Sequence, residues 1–264
     1  MTVIACCSSP CVEPKISFSH SPGCMFIGDV TVEQLLRMHK PSHGSLVPKT
    51  VTLTESPLFM SIVSDVAIEK INELENVIQD DPNNRGIKHL HLPGELLKAA
   101  LTLSHCRSVG ITAGFPCNMK LDPPDENDGP PGALIMAKAL QSVGKSVSFL
   151  VRSYHSNLYR EIIKECISRG LLSNPVPVLE YSPSPDKDSA ESAIDFLFPN
   201  GQFQPPLFDM LIAIEASGKG AGGKYYTMRG QDMSDICGSS PVDDLFQTGE
   251  LSNTCYFVIE CSEL

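Results

Sequence analysis

Apolar residues recur along this chain in two rhythms, and the change from one to the other falls near residue 106. In SPLFMSIVSDVAIEKINELENVIQ, the positions Ile62, Val66, Ile68, Ile71, Leu74 and Val77 approximate helical spacing and predict one long helix. DDPNNRG supplies turn formers after it, and the run following Pro93, GELLKAALTLSHC, predicts a second helix. Farther upstream, TVEQLLRMH predicts a short helix with Thr31 as its cap and Glu33 in its first turn. MFIGDV reads as an extended piece with no partner strand nearby in sequence.

Beyond residue 106 short apolar runs alternate with amphipathic ones. SVGITA, KSVSFLV, PVPVLEY and FDMLIAIE predict strands, apolar on both faces. Between them PGALIMAKALQSVG, SNLYREIIKECISRG and SAESAIDFLF predict helices, the second closed by Gly170 just past its end. Strand–helix alternation of this kind builds parallel βαβ units with helices on both faces of the sheet. The expectation is a Rossmann-like open α/β sandwich with a mainly parallel sheet over roughly 88–260, plus an N-terminal helical annex. Residues 1–30 read as a poorly ordered remnant of a preceding domain, and 31–264 as the α/β domain proper.

Charge and composition narrow the partners. Lys and Arg number 20 against 31 Asp and Glu, a net charge of −11, and no basic run offsets it. That argues against nucleic acid or an anionic membrane as the main partner. Apolar runs such as MLIAI are far too short to span a bilayer. The cysteines are scattered, and Cys6-Cys7-x-x-x-Cys11 has no second knuckle to complete a zinc site. Reduced thiols in a reducing compartment follow. MTVIACCSSPCVEPK has neither the form of a secretory signal nor the arginines of a mitochondrial presequence.

Two loops carry the candidate chemistry. The first, from Ala113 to Pro131, leaves the carboxyl end of one predicted strand and enters a helix, and ligands of open α/β sheets bind outside those carboxyl ends. It holds Asp122, Asp125, Glu126 and Asp128, which could take an ammonium group, a proton or a divalent cation. Gly129 and Gly132 would admit a close ligand, and the amides of the helix start could hold an anion. The competing reading is a solvated acidic loop with Asp128 as a plain helix cap.

The second loop, IAIEASGKGAGGKYYTMRGQDMS, begins where Glu215 closes a buried strand. Lys219, Lys224 and Arg229 bring positive charge suited to a substrate carboxylate, although the P-loop pattern is absent and solvated surface lysines are the alternative. His89 and His91 lack a third partner for a metal. His105 and Cys106 are neighbours that would point to opposite faces of a strand, against a nucleophile pair. No GxSxG elbow occurs.

The segments TAGFPC, PPDENDGPPGALIMAKALQSVGK and FDMLIAIEASGKGAGGKYYTMRGQDMS resemble the C-terminal domain family of mitochondrial D-glutamate cyclase, over about residues 50–250. SHSPGCMFIGDV resembles the closing segment of that enzyme's N-terminal domain, and SNTCYFVIECSEL replaces an expected glycine-rich acidic C-terminal segment, which suggests a truncated or alternatively spliced chain. The resemblance implies a hydro-lyase that closes D-glutamate to 5-oxo-D-proline, a mitochondrial matrix location with the cytoplasm as alternative, and no certain cofactor. On that reading Asp125, Glu126 or Asp128 serves as base or ammonium anchor. Gly129 to Gly132 supply oxyanion donors, Glu215 lies in the substrate site, and Lys224 or Arg229 clamps the α-carboxylate. The alternatives are a non-catalytic ligand-binding or regulatory module, an inactive isoform, and a nucleotide-binding protein using the Gly/Lys loop.

Overall fold

The computed structural model describes residues 2–6, 48–55, 58–82, 84, 86–118, 120–122, 124–202, 204–227, 229–251 and 255–260. The helix predicted over 31–39 and the extended piece MFIGDV lie outside them.

The N-terminal annex is a hairpin followed by helices. Strands β2 (Lys49–Glu55) and β3 (Leu58–Val63) pair antiparallel, with a register shift between Thr52 and Thr54. The single helix expected over 56–79 is therefore corrected: its first part is strand, and α1 spans Asp65–Ile78. The helical spacing of Ile62 and Val66 is a coincidence, since around it burial alternates, with Ser61 and Val63 buried and Met60 and Ile62 exposed. Ser64 makes the break, its side chain accepting from the Ala67 N–H at 3.3 Å. A short α2 (Ile87–Leu90) leads to α3 (Glu95–His105), whose cap residue Gly94 has no side chain to offer. Glu75 of α1 substitutes for it. Its buried carboxylate accepts from Gly94 N–H at 2.9 Å and Leu96 N–H at 3.4 Å, joining two helices through one orphan helix end. At the other end, Lys145 donates to the carbonyls of Ser104 and Cys106.

The main sheet runs β1-β8-β7-β4-β5-β6. Its strands are β1 (Thr2–Cys6), β4 (Ser108–Gly114), β5 (Ser146–Val151), β6 (Val178–Glu180), β7 (Met210–Ala216) and β8 (Cys255–Glu260). All neighbours pair in parallel except β1, which lies antiparallel on β8. The helices α4 (Gly129–Ser142), α5 (Ser156–Ser168), α6 (Ser189–Leu197), α7 (Ser234–Cys237) and α8 (Asp243–Leu251) complete the chain. This is the open α/β sandwich expected from the alternation, although its annex carries a hairpin as well as helices.

Two cores sandwich the sheet. On one side Val109, Ile111, Phe149 and Ile212 meet Ala133, Ala137, Tyr159 and Ile163 of α4 and α5. On the other, Leu150 and Leu211 meet Leu197 of α6 and Leu245 of α8. Consecutive residues Phe149 and Leu150 go to opposite cores, and each fully buried side chain of this size contributes about 1.5–3 kcal/mol.

The connectivity positions the site. From β4 the chain winds outward through β5 to β6, then returns to place β7 on the other flank of β4. The strand order reverses between β4 and β7, and the crevice outside their carboxyl ends is where such sheets bind ligands. At the opposite end Asp209 pins the two strands, its carboxylate accepting from Arg107 and Ser108 N–H at 2.6 and 3.0 Å.

Candidate active site

The acidic loop is a folded structure in its own right. Asn118 N–H donates to Pro124 O at 2.8 Å, Glu126 N–H donates to Phe115 O at 3.0 Å, and Pro116 and Asp125 form a bridge. This knitting separates the four carboxylates. Asp125 is turned inward, its side chain 5 % exposed. Asp122 and Asp128 remain exposed, and Glu126 is half-buried. Asp128 caps α4, accepting from Gly129 N–H at 3.1 Å. Gly129 is buried because a Cβ there would lie 3.4 Å from Gly114 N and 3.5 Å from Glu215 Cβ. Gly132 is exposed.

The helix start offers few donors. The N–H groups left free by an α-helix belong to its cap and first three residues, here Asp128 to Pro131. Pro130 and Pro131 have none, and Gly129 N–H donates to Asp128. An amide oxyanion hole over Gly129 to Gly132 is therefore a poor fit, and the two prolines serve to set the helix direction.

Asp125 meets a partner from the next crossover. After β5 come Arg152, a 3₁₀ turn (Ser153–His155) and α5. His155, with its side chain 2 % exposed, pairs through Nε2 with Asp125 Oδ2. Arg152 is equally buried, at 2 % exposure. One terminal nitrogen faces Gly114 O at 3.4 Å, and the other donates to Ser217 O at 3.0 Å and Ser217 Oγ at 2.8 Å. Gly114, with φ +125°, lies between the two groups: a Cβ there would come within 2.9 Å of His155 Cε1 and 3.2 Å of Asp125 Oδ1.

Around this point several buried polar atoms have no protein partner, namely Asp125 Oδ1, Arg152 Nε, Tyr154 Oη and Ser156 Oγ. Buried polar groups are rarely left so. Burial pushes the Tyr154 and Tyr159 phenols upward, and the nearby Asp125 charge pushes the same way while Arg152 opposes it. Both phenols are therefore neutral donors at physiological pH.

The loop after β7 closes over this cluster. Glu215 turns the chain with φ +48°, and Ser217 reaches Cys237 Sγ at 3.3 Å. Lys219 pairs with Asp244, and its amide donates to Asp243 Oδ2 at 3.1 Å. Tyr225 Oη donates to Asp243 Oδ1 at 2.6 Å. Lys224 is exposed and paired with Asp232 at 2.9 Å, and Arg229 is exposed. Tyr225, Met233 and Cys237 form a small apolar cluster against which Phe115 of the acidic loop packs. The two candidate loops thus touch one another above the buried polar groups.

Comparison with known proteins identifies the family. Residues 74–258 match the family described as D-glutamate cyclase-like, C-terminal, which is more than half of the chain. The chain is also 40 % identical over 238 residues to the human protein described as D-glutamate cyclase, mitochondrial. The chain belongs to the D-glutamate cyclase-like C-terminal domain family. The aligned region is 89 % of this chain but 37 % of the human protein, so the chain spans well under half of that relative's length.

In this member of the family, the predicted site residues divide by burial. Asp125, Gly129 and Glu215 gather at the β4/β7 crevice, whereas Asp128, Gly132, Lys224 and Arg229 sit outside it. Glu126 lies beside Cys117, whose thiol is pushed up to about 11 by burial first and then by Glu126. Among the described residues, no three His, Cys, Asp or Glu side chains gather to hold a metal ion. Sequence reasoning missed Arg152, His155 and Ser217. Their signal was positional: RSYHS leaves the carboxyl end of a buried strand, and so does Ser217.

Proposed function

We propose that this site binds D-glutamate and closes it to 5-oxo-D-proline with release of water. The observation that carries the reading, in a chain of this family, is the buried Asp125–His155 pair with Asp125 Oδ1 left unpartnered at the β4/β7 crevice. In the reaction the nitrogen gives up two protons, a bond forms from nitrogen to the side-chain carboxyl carbon, and one C–O bond of that carboxyl breaks. The departing oxygen collects both protons as water. A group that first accepts and then returns protons is needed beside the nitrogen. Asp125 takes that role, with His155 holding its other oxygen and sharing the proton. Closure of the Phe115 and Tyr225 loops removes water, which strengthens the electrostatics inside.

On this reading residues 31–264 form the catalytic-fold domain and 1–30 belong to a preceding one, although Thr2–Cys6 contributes a strand to the sheet edge. The proposed location is the mitochondrial matrix; the human relative is described as mitochondrial. Because the chain spans only part of that relative, a ligand-binding module acting with further domains is the second reading.

The test is formation of 5-oxo-D-proline from D-glutamate by the purified chain and by Asp125→Asn. Turnover that falls at least about a hundredfold in the variant supports the proposal. Undiminished turnover in the variant removes Asp125 from the chemistry. A folded chain that binds D-glutamate without turning it over supports the second reading.

A further inference from the structure

The buried guanidinium of Arg152 has no role in the proton transfers above. Its terminal nitrogens face the oxygens of Gly114 and Ser217, the Tyr154 phenol lies beside the guanidinium, and its Nε has no hydrogen-bond partner. A buried guanidinium with an unfilled Nε donor is costly, and such groups are kept where an anion completes them.

The guanidinium that carries the vacant donor and the carboxylate that carries the vacant acceptor both approach the same glycine. Arg152 approaches Gly114 O, and Asp125 Oδ1 lies within 3.2 Å of where a Gly114 side chain would begin. Both charges act on Tyr154, Tyr159 and Cys237, which places them in one neighbourhood. A positive and a negative group flanking a residue that lacks a side chain match the adjacent carboxylate and ammonium of an α-amino acid.

We infer that Arg152 is the specificity-determining group that receives the substrate α-carboxylate through Nε, while Asp125 Oδ1 receives the α-ammonium. This rests on the proposed site but not on its chemistry. The α-carboxylate takes no part in ring closure and survives in 5-oxo-D-proline, so Arg152 binds substrate, transition state and product alike. Uniform binding of that kind shows in KM and leaves kcat largely alone. Ser217 positions the guanidinium by holding one terminal nitrogen with both of its oxygens. The structural alternative is that Arg152 only ties the β4 and β7 loops together, which would give no ligand selectivity.

The experiment is calorimetric titration of the full chain with 5-oxo-D-proline and with 5-oxo-D-prolinamide, which differ only in the carboxylate. Acetate and glutarate serve as simple carboxylate probes. The wild type is expected to prefer the acid over the amide by at least about tenfold, the loss of one charge-assisted hydrogen bond. In Arg152→Gln the two affinities should converge, and in Arg152→Lys part of the preference should return. Equal affinity for acid and amide in the wild type overturns the inference, even if Arg152→Gln fails to fold. So does a folded Arg152→Gln that keeps the preference. Arg152-dependent binding of acetate or glutarate without any binding of 5-oxo-D-proline sustains the anion site and refutes the D-glutamate reading, so the two can fail separately.

Discussion

Replacing Gly114 by alanine tests the geometry of the site from its centre. Gly114 ends β4 with φ +125°, a conformation that side-chain-bearing residues rarely adopt, and holding alanine there costs about 1–3 kcal/mol. The new Cβ would also lie 2.9 Å from His155 Cε1 and 3.2 Å from Asp125 Oδ1. Neither neighbour is a flexible tip, because the imidazole and the carboxylate hold each other and both are buried. Relieving the overlap adds about 1–3 kcal/mol, against which the stiffer unfolded chain returns about 0.4–1 kcal/mol. The net loss is about 1–5.5 kcal/mol, or a melting temperature lower by roughly 2–20 °C. Gly132→Ala is the control: it is exposed on α4, and its Cβ would meet only Ile214 Cγ2, at an ordinary 3.6 Å. Helix propensity then predicts a gain of about 0.5–1 kcal/mol. The assay is thermal unfolding by circular dichroism, paired with 5-oxo-D-proline binding. Gly114→Ala that melts and binds like the parent would refute both the strain and the placement of Asp125 and His155 beside this residue.

Three further outcomes are expected. Glu75→Ala removes the shared cap of α3 and leaves the Gly94 and Leu96 amides without their acceptor, which should cost about 1–3 kcal/mol in urea unfolding. An unchanged midpoint would show that water replaces the carboxylate there. Cys106, pushed up to about 12 by burial, and Cys117, at about 11, should both resist iodoacetamide at pH 8, where each thiolate fraction is roughly one in a thousand or less. Glu126→Gln removes a negative neighbour, so the Cys117 pKa falls and its alkylation alone quickens, as read by mass spectrometry. Equal rates in parent and variant would contradict the contact. Asp232 is held near about 2, first by Ser234 and then by Lys224. A depressed carboxylate lends stability above its unfolded value near 3.9 and loses it as pH falls toward 2. In an NMR titration Ser234→Ala should raise this pKa at least as far as Lys224→Ala does.

How much of this was legible depends on which physical signal each part emits. β4, β5 and β7 announce themselves because they are buried on both faces and stand between amphipathic helices. β3 does not, because Ile62 and Val66 fall four apart across a strand–helix junction marked only by Ser64. The acidic loop was visible as a candidate, but its four carboxylates were indistinguishable in sequence. Only the knitting of Phe115 to Glu126 and of Asn118 to Pro124 turns Asp125 inward and leaves its neighbours outside. Lys224 looked like a carboxylate clamp because spacing could not reveal Asp232 as its partner. Arg152 and His155 gave no compositional signal, since a lone arginine and a lone histidine are ordinary surface residues until a strand end buries them.

The placement of the polar cluster explains why it can remain incompletely paired. Each unpartnered buried group costs about 1–3 kcal/mol, and Asp125 Oδ1, Arg152 Nε, Tyr154 Oη and Ser156 Oγ all lie at the carboxyl ends of strands whose other ends are tightly tied. Asp209 locks β4 to β7 far from the site, and Gly129 lets α4 press against Gly114 and Glu215 without a side chain between them. The scaffold therefore fixes Asp125 from one crossover, Arg152 and His155 from the next, and Ser217 from a third, and these groups satisfy one another only in part. Orphan polar atoms that packing alone would have eliminated are retained here in one cluster, with both charges present and a glycine at the centre. That pattern is what a site for a zwitterion requires and what a structural core avoids.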